Sequence, residues 1–213
     1  MSLLKGCVLH VRLDEAGYNP ATRRVTDLSA ECNHGTAVNA AVFAADRMGQ
    51  VGRATVFNGS SDYIDCGDVD LLYDATISFW LNLAETPSGN AMLVDKYSGV
   101  YGYSIFVRPD GTFNLRFGAA DAVDYIDTGI VNTTWNHIVL TRKAGDTLKL
   151  YANGVIKSNT SAGVDSAETG NGLYIGCRGG AGSFAKVSMA DLWIHNRVLD
   201  ESERSLLFES YRR

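Results

Sequence analysis

Apolar and polar positions alternate with a period of two over short runs along most of the chain. The runs are GCVLHVRL, ATVFNG, DYIDCG, TISFWLNL, AMLVDKY, GYSIFVR, TFNLRFG, WNHIVLTRK, TLKLYANG, GLYIGC and KVSMADLWIHN. β-Branched and aromatic residues at that period predict strands, because successive side chains of an extended chain point to opposite faces. The connectors carry turn chemistry: Pro109-Asp110-Gly111 and Asn153-Gly154 supply the fixed or positive φ that tight hairpins demand. In TISFWLNL, Ile77, Phe79, Leu81 and Leu83 share one face, and Thr76, Ser78, Trp80 and Asn82 share the other. The first set is predicted to pack and the second to meet solvent. In WNHIVLTRK, Ile138 and Leu140 form the core set. Two stacked antiparallel sheets accommodate both patterns, so the fold class is all-β.

One segment breaks the period. Asp200 precedes Glu201, Ser202, Glu203 and the run SLLFESY. Asp200 can cap a first helical turn while Glu203 reaches back to it, which predicts a short C-terminal helix. Three prolines, no low-complexity linker and no internal repeat leave one domain over residues 1–213.

Composition narrows the partners. The 213 residues carry a formal net charge of −5, which supplies no basic surface for a phosphate backbone and excludes nucleic acid. No stretch reaches the length and apolarity of a membrane span, and MSLLKGCVLHVRLDEAG lacks the pattern of a signal peptide. The compartment stays open, with a secreted, cell-surface or virion setting favoured. Cys7, Cys32, Cys66 and Cys177 have no metal-ligand spacing; they read as small buried thiols, with two disulfides as the alternative.

The order of LHVRLDE, DLSAECNHGT, VFNGSSDYIDCG, ATISFWLNL, TWNHIVLTR, LKLYANGVI, GLYIGC and MADLWIHNRVLDESE resembles the laminin-G-like, concanavalin A-like lectin and glucanase superfamily over nearly the whole chain. That resemblance implies a two-sheet antiparallel jelly-roll sandwich. It also implies a structural Ca²⁺ near the first loop and the last strand, at positions matching Asp27, Asn33 and Asp191, with a hydrogen-bonded loop cap as the alternative for these residues. Glu31 and His34 depart from the small residues usual in that loop. Partner binding in the superfamily uses rim loops or a sheet face. The richest matching cluster here is Asp95, Lys96, Tyr97, Tyr101 and Tyr103 in DKYSGVYGY, where aromatic rings offer a platform for a sugar or a protein surface. Trp80, Asn82 and Arg116 form a second candidate on exposed strand faces, with core filling as the equal alternative. Asp121, Asp124 and Asp127 in ADAVDYIDTG lack the alternation and central Gly of a calcium loop and read as a solvated edge.

Catalytic patterns are missing from the sequence. Glycoside hydrolysis needs two carboxyl groups across the scissile bond, and no strand presents acidic residues two or four apart on one face in the required way. Glu15, Glu31, Glu85, Glu168, Glu201, Glu203 and Glu209 fall in loops, strand ends or the terminal helix. There is no GxSxG elbow and no phosphate-binding loop, and His10, His34, His137 and His195 stand singly. The expectation is a non-catalytic recognition module that binds a carbohydrate or glycoconjugate. The rival is a structural or interaction protein, such as a virion decoration, tail or adhesin component, docking a protein partner in an assembly; a homo-oligomer fits that rival.

Overall fold

A computed structural model describes residues 2–39, 41–117, 124–126, 132–161 and 167–210. Among them the alternating runs form two stacked antiparallel sheets. The first sheet holds β1 (Cys7–Val11), β5 (Val42–Ala44), β6 (Ala54–Asn58), β8 (Ala75–Leu83), β13 (Trp135–Arg142), β14 (Thr147–Ala152), β15 (Val155–Ser161) and β17 (Lys186–His195). Its order is β15-β14-β13-β8-β17-β6-β5, with β1 also paired to β17. The second holds β2 (Tyr18–Asn19), β3 (Arg24–Val25), β4 (Gly35–Val38), β7 (Tyr63–Asp65), β9 (Ala91–Asp95), β10 (Tyr103–Val107), β11 (Phe113–Phe117), β12 (Asp124–Ile126) and β16 (Tyr174–Ile175). Its order is β12-β11-β10-β9-β16-β7-β4-β3-β2.

The facing sides of the two sheets bury one continuous core. Ile77, Phe79 and Leu81 of β8 and Ile138 and Leu140 of β13 meet Ile105, Leu115 and Phe117 of the second sheet, all essentially inaccessible. Each such side chain contributes about 1.5–3 kcal/mol relative to exposure, so the period-two pattern fixes which face of each strand turns inward. The β14–β15 hairpin closes at Asn153 and Gly154, whose φ values of +53° and +78° match the twist of a two-residue turn. Asn153 also ties the turn to β13, accepting from the His137 N–H at 2.9 Å.

The helix α1 (Glu201–Ser210) starts as expected. Asp200 Oδ1 accepts from the Glu203 N–H at 2.9 Å, and Glu203 Oε2 accepts from the Asp200 N–H at 3.1 Å. Arg197 grips Glu203 through two 2.7 Å contacts and holds its carboxyl below the usual range. This helix corrects one expectation. The second face of β8 is covered, with Thr76, Ser78 and Trp80 all buried. Trp80 is only 3% exposed, because Phe208 of α1 and the Arg47 guanidinium, 4.1 Å from its ring centre, lie over it.

All four cysteines are free thiols, with Cys7, Cys66 and Cys177 buried. Burial pushes Cys7 and Cys177 up to about 12 and Cys66 further. No helix among the described residues is long and apolar enough to cross a membrane.

Candidate functional site

Asp95 ends β9, and because Val94 points into the core its side chain leaves the outer face of the second sheet. Its register neighbour on β16 is Tyr174, whose partner on β7 is Asp65. The side chains of Asp95, Tyr97, Asn171 and Tyr174, with Gly170, Gly172 and Gly179, line a cleft of about 370 Å³. Asp95 is 1% exposed, and its Oδ1 is buried without a hydrogen-bond partner. Burial raises its carboxyl from 3.8 to about 6. The guanidinium groups of Arg178 and Arg116 and the backbone N–H groups of Gly179 and Tyr97 pull the other way without cancelling that penalty.

The expected cluster divides between this cleft, the core and the rim. Asp95 and Tyr97 line the cleft, with the Arg116 guanidinium 5.3 Å from the Tyr97 ring centre. Lys96 faces the opposite way and is only 1% exposed. Its ammonium pairs with Asp68 and with Asp70 at 3.1 Å, and donates to Thr169 Oγ1 at 3.3 Å and to the Asn171 carbonyl. A buried ammonium persists only when its donors are paired. Lys96 therefore anchors the segment that carries Asn171 into the cleft and is not itself available to a ligand. Tyr103 is likewise removed from the surface. It stacks on Phe117, and its hydroxyl donates to the Val69 carbonyl at 2.7 Å. Tyr101 is 38% exposed on the bend between β9 and β10, where Gly102 takes a φ of +105°; it does not line the cleft.

The second candidate set is dispersed. Trp80 lies under α1, Asn82 is half-buried on β8, and Arg116 packs between Tyr97 and Phe106 on the other sheet. Asp121 and Asp127 lie outside the described residues, and Asp124 belongs to β12.

The residues expected to hold calcium do not fit an ion. Asp27 Oδ1 accepts from the N–H groups of His10 (2.7 Å) and Ser29 (2.9 Å). Its Oδ2 accepts from Ser29 Oγ (2.6 Å) and the Asn33 N–H (2.8 Å). Four protein donors thus occupy the carboxylate that Ca²⁺ would need. Asn33 turns its amide nitrogen to the Val8 carbonyl at 2.8 Å. Asp191 sits at a bulge in β17 with a φ of +52° and pairs with His10 Nε2 at 2.9 Å. Among the described residues no cluster of three or more His, Cys, Asp or Glu side chains is arranged to hold a metal. The link between first loop and last strand is made by His10, whose backbone meets Asp27, whose ring meets Asp191, and which stacks on Trp193 at 3.4 Å.

A second cavity, of about 310 Å³, lies between α1 and the outer face of the first sheet, with His137, Val139, Tyr151 and Phe208 in its lining. His137 Nε2 and Ser78 Oγ are 2.9 Å apart, and burial lowers the imidazole to about 4. Ser78 is covered, so the pair is a core hydrogen bond, not a presented nucleophile and base.

Two layered antiparallel sheets with a polar, aromatic-walled cleft on an outer face define a lectin-like β-sandwich. The chain belongs to the family described as the Concanavalin A-like lectin/glucanases superfamily, whose laminin-G-type profile matches residues 58–203. No curated protein sequence matches it. Similar solved structures include the binding domain of Paraclostridial Mosquitocidal Protein 1, at 19% identity and TM-score 0.74, covering 99% of this chain and 53% of that one. The botulinum neurotoxin serotype D binding domain has 12% identity and TM-score 0.74, covering 97% and 52%. A Trypanosoma rangeli sialidase has 18% identity and TM-score 0.69, covering 97% and 33%. The chain thus spans about half of the two binding domains and a third of the sialidase. At these identities the likeness is one of fold.

Tyr174, Asn171 and the cleft glycines escaped the sequence reading. Alternation puts Tyr174 on the face opposite Ile175, which was the available signal. That β16 pairs with β9, far away along the chain, was not written locally.

Proposed function

We propose that this domain recognises a carbohydrate in the Asp95 cleft and leaves it chemically unchanged. The carrying observation is that Asp95, whose buried Oδ1 has no hydrogen-bond partner, lines a polar cleft. An unsatisfied buried carboxylate oxygen costs stability, and a hydroxyl-rich ligand would satisfy it. Half-buried Tyr174 provides a ring face for sugar C–H surfaces, while the glycines let backbone groups approach a ligand closely. Two of the similar structures are binding domains, which agrees with a recognition role.

The cleft also argues for binding over hydrolysis. Asp95 is the one carboxylate among its described lining residues. Asp65 stands beyond Tyr174 on the next strand, accepting from the Gly67 N–H at 2.9 Å. A lone carboxyl supplies half of the acid–base pair that glycoside cleavage requires. A glycan array probed with the wild type and Asp95→Asn at pH 7.5 tests the reading. Binding by the wild type that Asp95→Asn abolishes is expected. Equal binding by both, or no binding to any glycan, overturns it.

A further inference from the structure

The cleft does not end at Tyr174. The Tyr174 ring meets Tyr63 of β7 edge-on at 6.0 Å between centroids, and Tyr63 meets Phe184 at 6.4 Å with the planes inclined by 40°. All three rings are half-buried, so each keeps part of its surface in solvent. Phe184 in turn lines a second cleft, of about 260 Å³, with Asn90, Ser183 and Lys186 among its walls. Half-exposed aromatic rings therefore lead from the Asp95 cleft, on the outer face of the second sheet, to a second cleft walled in part by the ends of β8 and β17 of the first sheet.

Gly180 lies along this connection. A Cβ there would stand 3.3 Å from Tyr174 and 3.4 Å from the Tyr63 hydroxyl. Any larger residue would occupy the space beside the two rings, and its φ of +72° is one that glycine adopts freely. In the second cleft Lys186 and Glu85 neutralise each other at 3.1 Å. In the first, the Asp95 carboxyl faces Arg178 and Arg116. Neither end carries an uncompensated cluster of one sign.

Resting on the carbohydrate reading of the Asp95 cleft, we infer that the ligand is a neutral oligosaccharide of several units, lying across Tyr174, Tyr63 and Phe184 with its ends in the two clefts. The ring spacings are of the order of one sugar ring, and aromatic faces pack against sugar C–H surfaces without requiring charge. Joining two subsites in one ligand makes the second contact intramolecular, so affinity rises with chain length until both clefts are filled.

The test is calorimetry at pH 7.5 with neutral cello-, laminari-, manno- and galacto-oligosaccharides of one to six units. For a series that binds, affinity is expected to rise at least tenfold between one unit and the longest member. Tyr63→Leu together with Phe184→Leu keeps the apolar bulk but removes the ring faces. That double variant is expected to abolish the gain in affinity with chain length. Equal wild-type affinity for one unit and six overturns the extended site and leaves the Asp95 reading standing. A double variant that folds to the wild-type melting temperature and retains the chain-length gain does the same. No wild-type binding to any series overturns both.

Discussion

The Phe208 ring of α1 lies 5.5 Å from the Trp80 ring of β8, with the two planes inclined by only 23°. Arg47 completes the stack, its guanidinium over Trp80 and its Nη2 donating to the Phe208 carbonyl at 3.3 Å. This contact buries the outer face of the central strand and gives the helix its place. Phe208→Ala should remove about 2–3 kcal/mol, below the full core value because Phe208 is only partly buried. In a domain of this size that corresponds to a fall of about 5–10 °C in Tm, with a red shift in tryptophan emission as Trp80 meets water. Leu206→Ala, on the exposed side of the same helix, should change Tm by less than about 2 °C.

The same contact marks where sequence pattern stops informing. Phe79 and Leu81 were legible as core because a period of two admits one inward face, and both are inaccessible. Ser78 and Trp80 were legible as the opposite face, but whether that face is wet depends on where a helix more than a hundred residues later docks. Lys96 failed for a related reason. Within DKYSGVYGY it stands among candidate ligand contacts, whereas its partners Asp68, Asp70 and Asn171 come from segments remote in sequence. Asp200 and Asn153-Gly154 succeeded because caps and two-residue turns are local chemistry.

Asp27 organises the first loop through four accepted hydrogen bonds. Asp27→Ala leaves the N–H groups of His10, Ser29 and Asn33 without that acceptor, and buried donors cost about 1–3 kcal/mol each when unpaired. A Tm loss of more than about 8 °C is expected by differential scanning calorimetry. Excess EDTA is expected to leave the wild-type Tm within about 1 °C, because four protein donors already take up the Asp27 carboxylate that an ion would need in order to stabilise the native state by mass action. A chelator-induced drop that added Ca²⁺ restores would show that the loop rearranges to bind the ion.

Lys96 and Asp95 are adjacent but should respond oppositely. Lys96→Met leaves Asp68 and Asp70 facing each other without their cation and frees the Asn171 segment. Breaking one partner of a buried pair costs about 3–5 kcal/mol, reduced here because Asp68 is largely exposed. Melting temperature and glycan affinity should therefore fall together in Lys96→Met. In Asp95→Asn at neutral pH the affinity should fall while Tm holds or rises. Titration of the two purified variants alongside thermal melts separates a residue that positions the cleft from one that contacts the ligand.

Asp95 and His137 set opposing acid-side trends. The Asp95 carboxyl holds its proton more tightly in the folded state, at about 6, than at its ordinary 3.8. As pH rises through that window the unfolded chain ionises first, so stability falls, by about 3 kcal/mol in all at roughly 1.4 kcal/mol per unit. His137 does the reverse, since burial lowers it from 6.5 to about 4. As pH falls through that window the unfolded chain takes up the proton first, and stability falls by about the same amount. The two trends offset each other between about pH 4.5 and 6.5, and the wild type should show a shallow profile there. Asp95→Asn leaves the histidine trend alone, so its Tm should exceed wild type at pH 7 and drop on acidification. His137→Gln, which can still hydrogen-bond Ser78, leaves the carboxyl trend alone, so its Tm should rise as pH falls. Melts at half-unit intervals of pH decide this, and parallel profiles for all three proteins would show that neither group titrates across the window.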